Sequence, residues 1–135
     1  MANYTLIYPS RMKLSQVREI LEAEVLCGND LLHKDVRCCF ACDLISEMLL
    51  YVTPDTLVIT SLTNIHIVHT AHVMDAVGVV FVGGKKPDES VISNGTIHNI
   101  PLFTTKHPTF ECCGRLFVNN LKDTKKFTDS INVCR

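Results

Sequence analysis

The stretch "TNIHIVHTAH" sets His66, His69 and His72 three residues apart, a spacing compatible with a metal site, a proton relay or the solvated side of a helix. Advancing about 100° per residue from Asn64 puts Ile67, Val68, Ala71 and Met74 together as the core face. The three histidines fall opposite, spread over about 120° of the helix surface. Neighbours at i, i+3 can pinch an ion, but all three cannot reach one. No Asp or Glu interleaves them as a His-Glu metal motif requires. The face reads as solvated, and no metal is expected there. Ile65 and Val73 are expected on the same outer side. A face mixing apolar and imidazole side chains suits a subunit contact through Ile65, His69 and Val73.

The cysteines offer the second chemistry. Cys39-x-x-Cys42 in "CCFAC" has the form of half a zinc or redox motif. On a strand, however, residues three apart point to opposite faces, and Cys112-Cys113 on a helix also diverge. A metal- or redox-responsive protein using Cys38, Cys39, Cys42, Cys112 and Cys113 is the alternative to buried packing. A cysteine nucleophile would need a neighbouring base.

The third group is polar and lies where strands give way to helices. "TSLTN" (Thr60, Ser61, Thr63, Asn64), "GGKK" (Gly83, Gly84, Lys85, Lys86) and "TTKH" (Thr104, Thr105) are expected at the carboxyl ends of three strands. That edge is where ligands settle in open α/β sheets. Hydroxyls, glycine amides, two lysines and helix N-termini favour an anion such as a phosphate, with Lys85 or Lys86 neutralising it. The same residue types dominate turns, so ordinary loop and capping chemistry accounts for them equally well. There is no Gly-x-x-x-x-Gly-Lys-Ser/Thr, Gly-x-Gly-x-x-Gly or Gly-x-Ser-x-Gly stretch, and no catalytic site is expected.

These loops need elements to hold them. Ser15 caps a helix through Ala23, "EVLC" reads as a strand stopped at Gly28-Asn29, and "DVRCCFAC" as another. Asp43 is placed as the N-cap of "LISEMLLYV", "TLVIT" as a strand, and Thr63-Asn64 as the cap of the histidine helix. "VGVVFV" is apolar on both faces, as a covered central strand should be. Pro87-Asp88-Glu89 starts a helix stopped at Asn94-Gly95. "IPLFTT" is the last strand and "PTFECCGRLFVNNL" the last helix, with Phe110, Cys113 and Phe117 on one face. Strands alternating with helices predict a three-layer α/β/α sandwich with a mixed, mainly parallel sheet of about five strands. The expected domain spans residues 14–121, between a lead-in (1–13) and a polar tail (122–135) that the pattern does not place.

The 135 residues suffice for one core; 47% are apolar and 20% charged, as in ordinary globular proteins. A net charge of −1 gives no general attraction to nucleic acid or anionic membrane. "MANYTLIYPSRMK" lacks the form of a secretory signal and "AVGVVFV" is too short to span a bilayer, so a cytoplasmic protein is expected. The seven cysteines then read as reduced.

Taken together, "VREILEAEVLCGNDLL", "CDLISEML", "LVITSLTN", "TAHVMD", "VVFVGGKKPDE" and "IPLFTTKHPTFECCGRLF" resemble the stand-alone DRTGG-domain proteins. That family is similar to the amino-terminal domain of HPr kinase/phosphorylase, and related modules occur beside CBS domains in regulatory pyrophosphatases and in some phosphotransacetylases. The resemblance covers about Leu14 to Leu121. It departs from the family at Ser61-Leu62-Thr63-Asn64, where many members carry a Gly-Asp-Arg-like stretch and the short ones usually "TGLTN". The resemblance implies a regulatory domain without catalysis or cofactor, dimerisation, and a response to an adenine nucleotide or other phosphorylated small molecule, with a partner enzyme to regulate.

Overall fold

The computed structural model describes residues 11–124. The expectations for the first ten residues and for the polar stretch from residue 125 onward lie outside the described residues. The first elements are β1 (Met12–Lys13) and α1 (Leu14–Ile20), whose Leu14 and Val17 are buried. Lys13 precedes the helix, and its amide donates to the Gln16 carboxamide at 2.8 Å. The helix thus starts before Ser15, which was expected to cap it, because Leu14 enters the core as its first residue.

Next come β2 (Glu24–Cys27), a 3-10 turn at Asn29–Leu31, and then two strands where one was expected. "DVRCCFAC" divides at Arg37 into β3 (Asp35–Val36), antiparallel to β1, and β4 (Cys38–Ala41), parallel to β5 (Thr56–Thr60). The Arg37 amide donates to the Asp55 carbonyl at 3.0 Å as the chain changes partner. Between them α2 (Ile45–Tyr51) is preceded by Leu44 as its cap, so Asp43 is not the N-cap that the sequence suggests. Then follow α3 (Ile65–Val73), β6 (Gly78–Phe81), α4 (Glu89–Ile97), β7 (Leu102–Thr104) and α5 (Thr109–Val118).

Five strands form one sheet in the order β2-β7-β6-β5-β4. Neighbours from β4 to β7 are parallel, and β2 alone runs antiparallel, against β7. Strands 4 to 7 lie side by side in chain order, and the crossovers between them place α2, α3 and α4 on a single face. The cores follow the strand period of two. Leu57, Ile59, Val80 and Phe103 pack with Leu14, Val17, Cys112 and Leu116 on the α1/α5 side. Val58, Val79, Phe81 and Leu102 pack with Met48, Ile67, Val68, Ala71 and Val91 on the other. The result is the expected three-layer sandwich with a mixed, mainly parallel sheet. Among the described residues no helix is long and apolar enough to cross a membrane.

The helix expected to stop at Asn94-Gly95 continues to Ile97 and reverses at Asn99, whose φ is +56°. Gly95 is therefore an interior helical residue. A Cβ there would lie 2.7 Å from Leu102 Cδ1 and 2.9 Å from Cys27 Sγ. The glycine is required by close packing of α4 on β2 and β7, a need that looks the same in sequence as a helix stop.

Candidate functional site

The carboxyl ends of β4, β5, β6 and β7 meet at one edge of the sheet, and the polar loops gather there in two groups. The first centres on Asp43, just past β4. Its Oδ1 accepts from the Thr60 hydroxyl (2.9 Å) and the Ser61 amide (2.8 Å), and its Oδ2 from the Ser61 hydroxyl (2.7 Å). Burial alone would raise the Asp43 carboxyl. The hydrogen bonds from Ser61 and Thr60, with the charge of Lys85, outweigh it and hold the carboxyl below its usual range. Thr60 also accepts from the Leu62 amide at 3.1 Å, and the Asn64 side chain accepts from the His66 amide at 3.0 Å as a true N-cap. Thr60, Ser61 and Asn64 thus spend their polar atoms on shaping this loop, with Thr63 inside it.

The second group lines a cleft of about 520 Å³: Glu22, Glu24, Gly84, Lys86, Thr104, Thr105, Lys106 and His107. Of the ten residues expected at a ligand site, Gly84, Lys86, Thr104 and Thr105 line this cleft. Thr60, Ser61, Thr63, Asn64, Gly83 and Lys85 do not. The amides expected to be open are engaged: Gly83 donates to the His107 carbonyl and Gly84 to the Thr105 carbonyl, both at 2.8 Å. The hydroxyls of Thr104 and Thr105 donate to the carbonyls of Lys85 (2.5 Å) and Leu21 (2.6 Å). What remains to meet a ligand is the side chains of Lys86, Lys106 and His107.

Sequence reasoning missed the two carboxylates. β2 is antiparallel to β7, with Glu24 opposite Thr104, so β2 begins where its neighbour ends. Glu24 Oε2 lies 3.4 Å from Lys86 Nζ, and Glu22 Oε1 lies 2.8 Å from His107 Nε2 and 3.8 Å from Arg115 Nη1. The hydrogen bond from His107, then the Arg115 charge, hold the Glu22 carboxyl below its usual value. Lys86 and His107 stand inside the quoted "GGKK" and "TTKH", and only the strand direction was needed to find their carboxylate neighbours.

The histidine helix places Ile67, Val68, Thr70 and Ala71 inside, while His66, His69 and His72 are exposed. His72 stacks on His98, at the end of α4, with ring centroids 4.3 Å apart, and His69 lies 6.1 Å from the same ring. Val73 is 70% exposed. Ile65 differs from the expected outer position: it is half-buried against the core that holds Ile67, Val68 and Ala71.

The cysteines separate as expected within each pair. Cys39 packs toward the α1/α5 core and Cys42 toward the opposite one, while Cys112 is buried beside a half-buried Cys113. Cys39 and Cys113 nevertheless line one larger, mostly apolar groove of about 620 Å³ beside edge strand β4, with Phe40, Tyr51, Phe110 and Phe117. The face shared by Phe110, Cys113 and Phe117 is this groove rather than the core. Burial pushes the Cys39 thiol up to about 12 and the Cys112 thiol to about 11, and raises Cys113. Such thiols are poor nucleophiles. Among the described residues no three His, Cys, Asp or Glu side chains converge to hold a metal ion. The groove is larger than the cleft, but Lys86 and Lys106 of the sheet's carboxyl edge line the cleft.

Residues 16–117 match the DRTGG domain. Among curated proteins none matches the chain. A solved structure of the CBS and DRTGG domains of the regulatory region of Clostridium perfringens pyrophosphatase, complexed with the activator diadenosine tetraphosphate, is similar in fold. It superposes with a TM-score of 0.66 at 18% identity, over 82% of this chain and 47% of that one. The chain thus spans about half the length of that relative.

Proposed function

This chain belongs to the DRTGG family, and from that premise we propose that it is a non-catalytic, ligand-sensing regulatory module whose ligand is an adenine nucleotide or another phosphorylated small molecule. The ligand's phosphates sit in the cleft at the carboxyl edge of the sheet. Lys86 and Lys106 meet them as ammonium donors, and His107 adds a third polar contact. The observation that supports this most is the convergence of these three side chains in one cleft at the edge where open α/β sheets hold ligands. The fold shared with a pyrophosphatase regulatory region bound to an adenine dinucleotide supports the ligand class.

Regulation needs an output. A homodimer formed through the exposed His69 and Val73 side of α3 would present the module to a partner enzyme. The reading through the cysteines has less support, since the thiols of Cys39, Cys112 and Cys113 are all pushed upward by burial.

The test is thermal denaturation of the purified protein against AMP, ADP, ATP, dinucleoside polyphosphates and inorganic phosphate. A bound ligand at 100 times its Kd stabilises the fold by roughly 2.7 kcal/mol. A shift with one nucleotide supports the sensor; no shift with any of them would turn the reading toward protein–protein interaction alone.

A further inference from the structure

The cleft is not simply basic. Lys86 and His107 each already face a carboxylate, Glu24 at the start of the antiparallel strand β2 and Glu22 in the turn just before it. The two pairs are unequal. Glu22 is held by His107 at 2.8 Å and approached by Arg115 at 3.8 Å, while Arg115 is itself anchored to Glu111 (2.9 Å) and the Ile20 carbonyl (3.1 Å). Glu24 has one long contact, 3.4 Å to Lys86, with 64% of its side chain and 55% of that of Lys86 open to solvent. Exposed pairs of that kind hold weakly.

We infer that Glu24 is a resident counter-anion of the cleft, and that a phosphorylated ligand binds by taking its place beside Lys86 while Glu22 stays fixed. This rests on the reading of the cleft as a phosphate site. Its consequence is selectivity by charge. A monocarboxylate arriving at Lys86 only exchanges one −1 group for another and must also approach Glu22. A phosphate or polyphosphate brings further charge and several acceptor oxygens, and engages Lys106 as well, which has no carboxylate within ion-pair distance among the described residues. The cleft thus favours multiply charged phosphates over singly charged organic acids, and Glu24 sets how strongly any of them binds.

Calorimetric titration with inorganic tripolyphosphate, and with acetate as the singly charged control, tests this on the full chain. Glu24→Gln keeps the side chain's shape and removes its charge. It is expected to bind tripolyphosphate about threefold to tenfold tighter than the unaltered protein, with a steeper loss of affinity as salt rises, while acetate stays unbound. An unchanged melting temperature shows that the fold is intact. Equal or weaker binding by Glu24→Gln overturns the inference, as does acetate binding comparable to that of tripolyphosphate. The Lys86→Ala/Lys106→Ala variant separates the two levels. If it binds tripolyphosphate as well as the unaltered protein does, the phosphate reading of the cleft fails. If it loses binding while Glu24→Gln gains nothing, the cleft stands and the counter-anion falls. No binding by any of the proteins overturns both.

Discussion

Asp43 accepts hydrogen bonds from both the amide and the hydroxyl of Ser61, at 2.8 and 2.7 Å, and so ties the loop after β5 to the end of β4. The Ser61 hydroxyl supplies one of these bonds. Asp43→Ala is expected to lower stability by about 1–2 kcal/mol, since hydrogen bonds to a charged acceptor are lost at an exposed site. Ser61→Gly, which keeps the amide bond, is expected to cost less. Denaturant unfolding of the two variants checks the order.

The same carboxylate gives a pH dependence. Its folded pKa lies below its unfolded value, so its contribution is complete above the ordinary carboxylate range and is lost as pH falls through the folded value. The stability gap between the unaltered protein and Asp43→Asn is therefore expected to be widest near neutrality and to shrink in acid. A gap that grows in acid would contradict the arrangement.

Gly95 and Gly114 are both helical, yet their surroundings differ. A Cβ at Gly95 would meet Leu102 and Cys27 within 3.0 Å, whereas nothing lies within 4 Å at Gly114. Gly95→Ala is expected to destabilise by about 1–3 kcal/mol through overpacking. Gly114→Ala is expected to be neutral or to stabilise by up to about 1 kcal/mol through helix propensity. Melting temperatures of the pair decide it.

How much of this was readable without coordinates depends on what each residue's neighbours along the chain reveal. The β-branched run "TLVIT" and the helical period around Ile67 and Ala71 are local signals; the first marks a strand, and the second locates its core face. Asp43 and Gly95 mislead because their local signals, cap and stop, are the commonest uses of those residues, while their actual roles depend on Ser61, Leu102 and Cys27, distant in sequence. The cleft was half legible. Lys86, Thr104 and Thr105 stand on parallel strand ends, as the alternation of strands and helices implies. Glu22 and Glu24 arrive only because β2 runs backwards beside β7, and strand order and direction leave no mark in the residues of β2.

The thiols offer a direct check on the redox alternative. With burial holding Cys39 at about 12 and Cys112 at about 11, neither forms thiolate at neutral pH. Iodoacetamide at pH 7.5 followed by mass spectrometry is expected to leave both unmodified in the folded protein and to label them after denaturation. Rapid labelling of the folded protein would restore the redox reading.

The outer side of α3 is the proposed contact between copies. Val73→Asp is expected to shift the protein from dimer to monomer in sedimentation velocity with little change in melting temperature, because that side chain is 70% exposed. An unaltered protein that sediments as a monomer at high concentration would remove this surface from the account.

The central claim is that Lys86 and Lys106 receive the phosphates of a nucleotide. Calorimetric titration of adenine nucleotides into the unaltered protein and into Lys86→Ala/Lys106→Ala tests it most directly. The account expects one nucleotide to bind the unaltered protein and the double variant to lose at least about tenfold in affinity, or about 1.4 kcal/mol. Binding that persists undiminished in the double variant would place the nucleotide elsewhere and contradict the account.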